Sequence, residues 1–143
     1  MSYSLQTISS LKEVGQLIKL HNKAWNNSTG IIDLLENATE CFLLRDDVST
    51  KMIGYIFIEK DTEKNFWEIN DIVIDPLYRK QGLGKMLLEH VMKNFEYLKL
   101  NADATNTNLI HFYLQAGFKQ EAVLENYYSI DKDAVRMFWK RGK

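Results

Sequence analysis

Seven consecutive residues have the types that hold phosphate: Arg79, Lys80, Gln81, Gly82, Leu83, Gly84 and Lys85. Gly82 and Gly84 carry no Cβ, so backbone amides there can come close to an anion. They stand at the start of a helical pattern, whose first turn offers unpaired N–H groups and the positive end of the macrodipole. Arg79, Lys80 and Lys85 add charge. The ordinary alternative is a βα turn with two glycines and a solvated basic edge, and spacing alone leaves both readings open. Two commoner phosphate motifs fail. A P-loop needs Ser or Thr after Gly-Lys, but Met86 follows Gly84-Lys85, and Arg79 stands where its first glycine belongs. The dinucleotide fingerprint needs a third glycine at the position of Leu87.

The turn must be positioned by the strand before it and the helix after it. Residues 67–75 contain Ile69, Ile72, Val73 and Ile74, whose branched side chains favour a pleated, packed surface. Asp75-Pro76, with the only proline of the chain, stops the strand. Leu87, Leu88, Val91 and Phe95 then fall on one helical face. Ahead of Asp75 the strand also carries two carboxylates, Glu68 and Asp71. A period of two puts them on opposite faces unless a bulge intervenes. Each also has an ordinary solvated reading.

Composition narrows the class. With 143 residues, 45% hydrophobic and 26% charged, the chain suits one soluble domain spanning 1–143. A net charge of −1 gives no electrostatic reason for a nucleic-acid or membrane partner. MSYSLQTISS lacks the features of a signal peptide, so a cytoplasmic setting is expected. The single Cys41 lies in an apolar run and reads as a buried thiol. His21 has no second ligand at metal spacing, so no metal is expected; His90 and His111 read as solvated surface.

A strand over 3–8 is followed by Ser10-x-x-Glu13, a capping box opening a helix with Leu11, Val14, Leu17, Ile18, His21 and Trp25 on its apolar stripe. Residues 26–30 break that helix, and 31–37 suggest a short second one. Strands over 41–44, 52–59 and 67–75, separated by polar turns, predict an antiparallel meander. The strand 97–103 returns after the helix and should lie parallel to 67–75. A helix from about Asn106 carries Leu109, Phe112, Tyr113 and Ala116 on one face and stops at Gly117. Strands 118–130 and 134–140 close the order β-α-α-β-β-β-α-β-α-β-β, an α/β domain with a mixed sheet.

Arg79-x-x-Gly82-x-Gly84 after a strand ending in Asp-Pro resembles the hallmark of the GNAT superfamily of N-acetyltransferases, Arg/Gln-x-x-Gly-x-Gly/Ala. Asn106 followed by Phe112-Tyr113-Leu114-Gln115-Ala116-Gly117-Phe118 resembles the family's second hallmark, and the order of elements is similar to the GNAT order over nearly the whole chain. The tail Asn126-Tyr127-Tyr128 with Asp133-Ala134-x-x-Met137 resembles ribosomal-protein-alanine acetyltransferases. The resemblance implies a mostly antiparallel sheet with one splayed parallel pair, and acetyl-coenzyme A as co-substrate. It implies that the 79–85 turn and Asn106 hold the cofactor while backbone groups of Ile72, Val73 and Ile74 pair with the pantetheine arm. Tyr113 resembles the family tyrosine that protonates the departing thiolate.

In some histone-type members the position of Glu68 holds the catalytic base, which makes Glu68 the candidate base here, with Asp71 or a water relay as alternatives. Ribosomal-type members carry a glutamate on the next strand, where this chain has Asn101. Trp25, Tyr127 and Tyr128 are candidates for the acceptor wall, or for core at a hairpin rim. The expected acceptor is a protein N-terminus, a lysine or a small amine, acetylated directly in a ternary complex. A homodimer is compatible with the sequence. The rival from another class is a non-catalytic acyl-coenzyme A sensor, to which Asn101 lends weight.

Overall fold

The computed structural model describes residues 3–7, 11–25, 40–61 and 66–142, without the side chain of Trp25. The Ser10 cap, the break at 26–30, the short helix over 31–37 and the contacts of Trp25 therefore lie outside the described residues. Among the described residues the sheet has seven strands in the order β1-β2-β3-β4-β5-β7-β6. They are β1 (Tyr3–Thr7), β2 (Glu40–Asp46), β3 (Met52–Lys60), β4 (Trp67–Ile74), β5 (Tyr97–Asp103), β6 (Lys119–Ser129) and β7 (Lys132–Lys140). Every neighbouring pair is antiparallel except β4 and β5, which run parallel as the short αβ return requires.

Helices cover both faces. On one side α1 (Leu11–Trp25) packs Leu17 and Leu20 against Leu43, Met52, Tyr55, Phe57 and Val73. On the other, α2 (Leu83–Asn94) and α3 (Thr107–Ala116) bury Leu87, Leu88, Val91, Ile110 and Tyr113 against Ile56, Ile58, Ile69, Leu98 and Leu100. β3 is buried from Met52 to Ile58, which is why its sequence is a continuous apolar run rather than an alternating one. The stripe of α1 differs at one end from its expected course. Leu11 is 89% exposed, and Leu20 takes an inward place instead.

Two glycines fix local geometry. Gly117 ends α3 in the left-handed region, with its N–H returning to Leu114 O. Gly54 lies under the end of β4, where a Cβ would stand 2.7 Å from Ile74 Cδ1 and 3.0 Å from Val73 O. That close approach sets how β4 delivers the chain to the turn that follows it.

Candidate active site

The basic turn begins with a clamp. Asp75 is 2% exposed; it accepts from Leu77 N–H and pairs with Lys23 of α1 at 3.0 Å and Lys51 at 3.4 Å. Burial works to raise its carboxyl, but the Leu77 N–H and the two ammonium groups outweigh burial and hold it below the usual carboxylate range. A single 3-10 turn over Pro76–Tyr78 then leads to Arg79, whose Nε donates to Ile74 O. Lys80 and Gly82 both sit at positive φ, and Gly82 caps α2 at φ 77° and ψ 14°. The first intrahelical bond of α2 runs from Met86 N–H to Gly82 O. The N–H groups of Leu83, Gly84 and Lys85 precede that bond and face out of the helix end. A cavity of about 730 Å³ opens over this turn, between α2 and α3.

Beside it the parallel strands part. β4 and β5 pair only at Trp67–Leu98, Glu68–Lys99 and Ile69–Leu100, although β4 continues to Ile74 and β5 to Asp103. The gap forms a second cavity of about 1020 Å³, walled by β4 from Ile69 to Ile74, β5 from Leu100 to Asp103, Asn106 and Tyr113. Ile74, Arg79, Gly84 and Phe112 line both cavities, so helix end and strand gap form one trough. Asn106 stands at the gap as the cap of α3, its side chain accepting from Leu109 N–H. Tyr113 is 2% exposed; burial pushes its hydroxyl well up, with the charge of Asp71 adding to the effect. It is a proton donor at neutral pH.

The register of β4 explains where its carboxylates go. Ile58 pairs with Ile69 and Phe57 with Asp71, so Asn70 is an extra residue, a bulge. The bulge breaks simple alternation and puts Glu68 and Asp71 on the same face, the α1 side, opposite Ile69 and Ile72. Their surroundings differ. Glu68 is level with the paired part of the strands and is not among the residues walling the gap. Burial raises its carboxyl, Arg136 opposes that, and Glu59 and Asp61 reinforce it. Asp71 walls the gap and accepts from Tyr55 Oη at 2.8 Å.

Across the gap Asn101 is a junction. Its Nδ2 donates to Tyr127 Oη at 3.1 Å, its Oδ1 accepts from Arg136 Nε at 3.0 Å, and its carbonyl lies 3.5 Å from Tyr128 Oη. β6 bows away from β7 between Leu124 and Ser129, which brings the two tyrosines over β5; Tyr128 reaches the gap and Tyr127 stands beside it. Both remain about half exposed, so they form a rim rather than core. Cys41 faces the Asp71 side, where burial and then the Asp71 charge push its thiol up to about 12, leaving it protonated at neutral pH. His111 is exposed, whereas His90 is half-buried and packs edge-on against Phe42 at 4.8 Å.

The model of the acetyltransferase (GNAT) family matches residues 10–118, three quarters of the chain. The protein belongs to the GNAT family. A ribosomal protein bS18-alanine N-acetyltransferase of Salmonella typhimurium is 36% identical over 116 residues, covering 77% of this chain and 74% of that protein. The Escherichia coli (strain K12) protein of the same name is 38% identical over 63 residues, covering 41% of this chain; the chain spans 43% of that relative's length. The crystal structure of the ribosomal-protein-S18-alanine N-acetyltransferase from Escherichia coli has a TM-score of 0.83 at 22% identity, covering 97% of this chain and 94% of that one. A GNAT family acetyltransferase from Elizabethkingia anophelis with acetyl-CoA bound has a TM-score of 0.80 at 17% identity, covering 96% and 97%. At these identities the two structures speak for the fold, and the mixed sheet with one parallel pair is the GNAT arrangement.

Within this GNAT frame, Arg79, Lys80, Gly82, Leu83, Gly84 and Lys85 line the first cavity, and Ile72, Val73, Ile74, Asn106 and Tyr113 the second. Gln81 lies on the same turn and accepts from Tyr3 Oη. The sequence singled out His21 and Asp71 separately but did not connect them, and it passed over Tyr55. The structure joins all three in one buried cluster, because α1, β3 and β4 converge there. Tyr55 stood in an apolar strand with no local feature to mark it.

Proposed function

We propose that residues 1–143 form one N-acetyltransferase domain that moves an acetyl group from acetyl-CoA directly to a primary amine. The observation that carries this reading is the continuous trough from the N-terminus of α2 into the gap between β4 and β5, with Tyr113 in its wall. A long ligand with a pyrophosphate at one end and an extended amide arm at the other fits such a trough. The N–H groups of Leu83, Gly84 and Lys85 suit the pyrophosphate. The edge of Ile72, Val73 and Ile74 that turns from β5 suits an added strand, the way extended ligands pair with open sheet edges. Bound there, acetyl-CoA supplies the activated acetyl group.

A β4 N–H facing the gap would stabilise charge developing on a carbonyl oxygen, and Tyr113 would give a proton to the leaving sulfur. Tyr128 and Tyr127, steadied by Asn101, would flank the acceptor, whether a protein N-terminus, a lysine or a small amine. The name shared by the two bacterial relatives makes a peptide with N-terminal alanine the first acceptor to try. The same proposal includes a cytoplasmic setting.

Thiol release from acetyl-CoA, measured with N-terminal peptides, lysine peptides and polyamines, tests the reading. Saturable turnover on at least one acceptor is expected. Tight coenzyme A binding with no turnover on any acceptor would instead support a non-catalytic acyl-CoA sensor. A melting temperature unmoved by coenzyme A would overturn both, since a ligand bound only by the native state must raise it.

A further inference from the structure

Three side chains from three elements meet beneath the β4–β5 gap. His21 of α1 is 4% exposed, Tyr55 of β3 is fully buried, and the Asp71 side chain of β4 is 9% exposed. His21 Nδ1 lies 2.7 Å from Tyr55 Oη, Tyr55 Oη lies 2.8 Å from Asp71 Oδ2, and His21 Nδ1 lies 3.4 Å from that same oxygen. With Asp71 ionised the chemistry fixes the direction of this chain. A carboxylate only accepts, so the single Tyr55 proton goes to Asp71, and Tyr55 Oη must then accept from His21 Nδ1–H. Among the described residues His21 Nε2 is buried with no hydrogen-bond partner, and the polar contacts of that ring converge on Tyr55 and Asp71. A buried imidazole and a buried phenol aimed at one carboxylate are costly as mere packing, because each removes polar atoms from water.

We infer that Asp71 holds the acceptor amine as its ammonium and takes a proton from it, and that Tyr55 and His21 are positioning residues that keep Asp71 anionic and aimed at the gap. The inference deepens the acetyltransferase reading and rests on it. The step balances simply: R–NH3+ and the Asp71 carboxylate become R–NH2 and the Asp71 carboxylic acid, which returns its proton to water. The freed nitrogen lone pair is then the nucleophile. Asp71, unlike Glu68, walls the gap, and it lies near enough to Tyr113 to influence its hydroxyl. Proton acceptor and proton donor therefore share one cavity. The acceptor class that follows is a cationic primary amine. Among the described residues the ionisable or polar groups around Asp71 include His21 from α1, Cys41 from β2, Tyr55 from β3, Glu68 from β4, Asn101 and Asp103 from β5, Tyr113 from α3 and Tyr128 from β6.

The test is the pH profile of kcat/KM for an amine the wild type acetylates, in Tyr55→Phe, His21→Leu, His21→Asn and Asp71→Asn. Activity should fall on the acid side as Asp71 is protonated. Tyr55→Phe removes one hydrogen bond to a charged group, so the acid limb should move up by about one pH unit, a roughly tenfold loss below it. His21→Leu should move it the same way, while His21→Asn, which keeps a donor near the Nδ1 position, should restore it. Asp71→Asn should lose at least about a hundredfold in kcat/KM while coenzyme A affinity stays within about twofold. An acid limb unmoved in folded Tyr55→Phe, or one that vanishes in Glu68→Gln and persists in Asp71→Asn, overturns the inference. Carbon-13 NMR of the Asp71 carboxyl reads the same displacement without turnover. A wild type that acetylates nothing would thus sink the acetyltransferase reading, and an unmoved carboxyl titration in Tyr55→Phe would separately sink this one.

Discussion

Replacing Gly82 separates what the proposed phosphate turn needs from its backbone and what it needs from empty space. Gly82 has φ 77°, and a Cβ built there meets nothing within 4 Å. A Cβ at this position therefore costs conformational strain but meets no other described part of the protein. Valine in the left-handed region costs roughly 1–2 kcal/mol, which for a chain of this size lowers the melting temperature by roughly 4–8 °C. Asparagine tolerates that region and is a good N-cap, so Gly82→Asn should melt within about 2 °C of wild type. Both side chains nevertheless enter the space proposed for the pyrophosphate. Coenzyme A affinity should fall at least about tenfold, or 1.4 kcal/mol, in each. Gly84→Ala is the control. Its Cβ would lie 3.5 Å from Phe112 Cζ and 3.8 Å from Ile74 Cγ1, ordinary contacts, so stability should change by less than about 0.5 kcal/mol. Thermal melts and isothermal titration with coenzyme A measure both quantities. If Gly82→Asn binds coenzyme A as wild type does, the pyrophosphate does not sit at this turn.

Four further outcomes follow from the geometry. Tyr113→Phe should lower kcat at least about tenfold with coenzyme A affinity nearly unchanged, because the substitution removes only the hydroxyl proposed as proton donor; steady-state kinetics at saturating acetyl-CoA decide it. Asp75, held below its usual range when folded, contributes stability that is present above its unfolded value of about 3.9 and is lost as pH falls through the lower folded value. Urea melts of wild type and Asp75→Asn should therefore differ at pH 6 and converge towards pH 2, whereas a constant difference would refute the clamp. Asn101→Ala releases Tyr127 and Arg136 together, so KM for the acceptor should rise while KM for acetyl-CoA holds. Deleting Asn70 removes the extra residue of β4; the healed strand should cost little stability but weaken coenzyme A binding, read by the same titration.

The sequence carried the turn and both hallmark segments because those features are local. Arg79 to Lys85 are contiguous, and Asn106 to Phe118 lie on one helix and its cap, so spacing alone displays them. The order of elements was legible for the same reason, each strand or helix being marked by its own period and bounded by its own turn. The relation of Glu68 to Asp71 was not. A bulge is decided by how β4 registers against β3, and nothing at Asn70 itself announces that the count slips there. Likewise Tyr55 reads as one more apolar strand residue, and its hydroxyl gains meaning only when α1 brings His21 within 2.7 Å. His90 reads as wholly solvated because its neighbours in sequence are polar, while in space one side of it packs on Phe42 of β2. Local chemistry was visible; chemistry assembled across the sheet was not.

The bulge also ties the two halves of the site together. Pairing between β4 and β5 stops at Ile69 and Leu100, and the extra residue of β4 comes immediately after, at Asn70. A bulge bends its strand and adds twist, so a strand bulged on its β3 side at this point turns away from β5. One inserted residue thus opens the gap, leaves the edge of Ile72 to Ile74 facing it, and sets Asp71 on the face where α1 and β3 bring His21 and Tyr55. The opposite face of the same strand gives Ile72 and Ile74 to the core under α2 and α3. β4 is therefore a partition with the basic turn at its end and the Asp71, Tyr55 and His21 cluster on one side. Asp71 and Tyr113 line a common cavity only where that partition leaves its neighbour, so the proton acceptor and proton donor proposed above would both act within a few residues of Asn70.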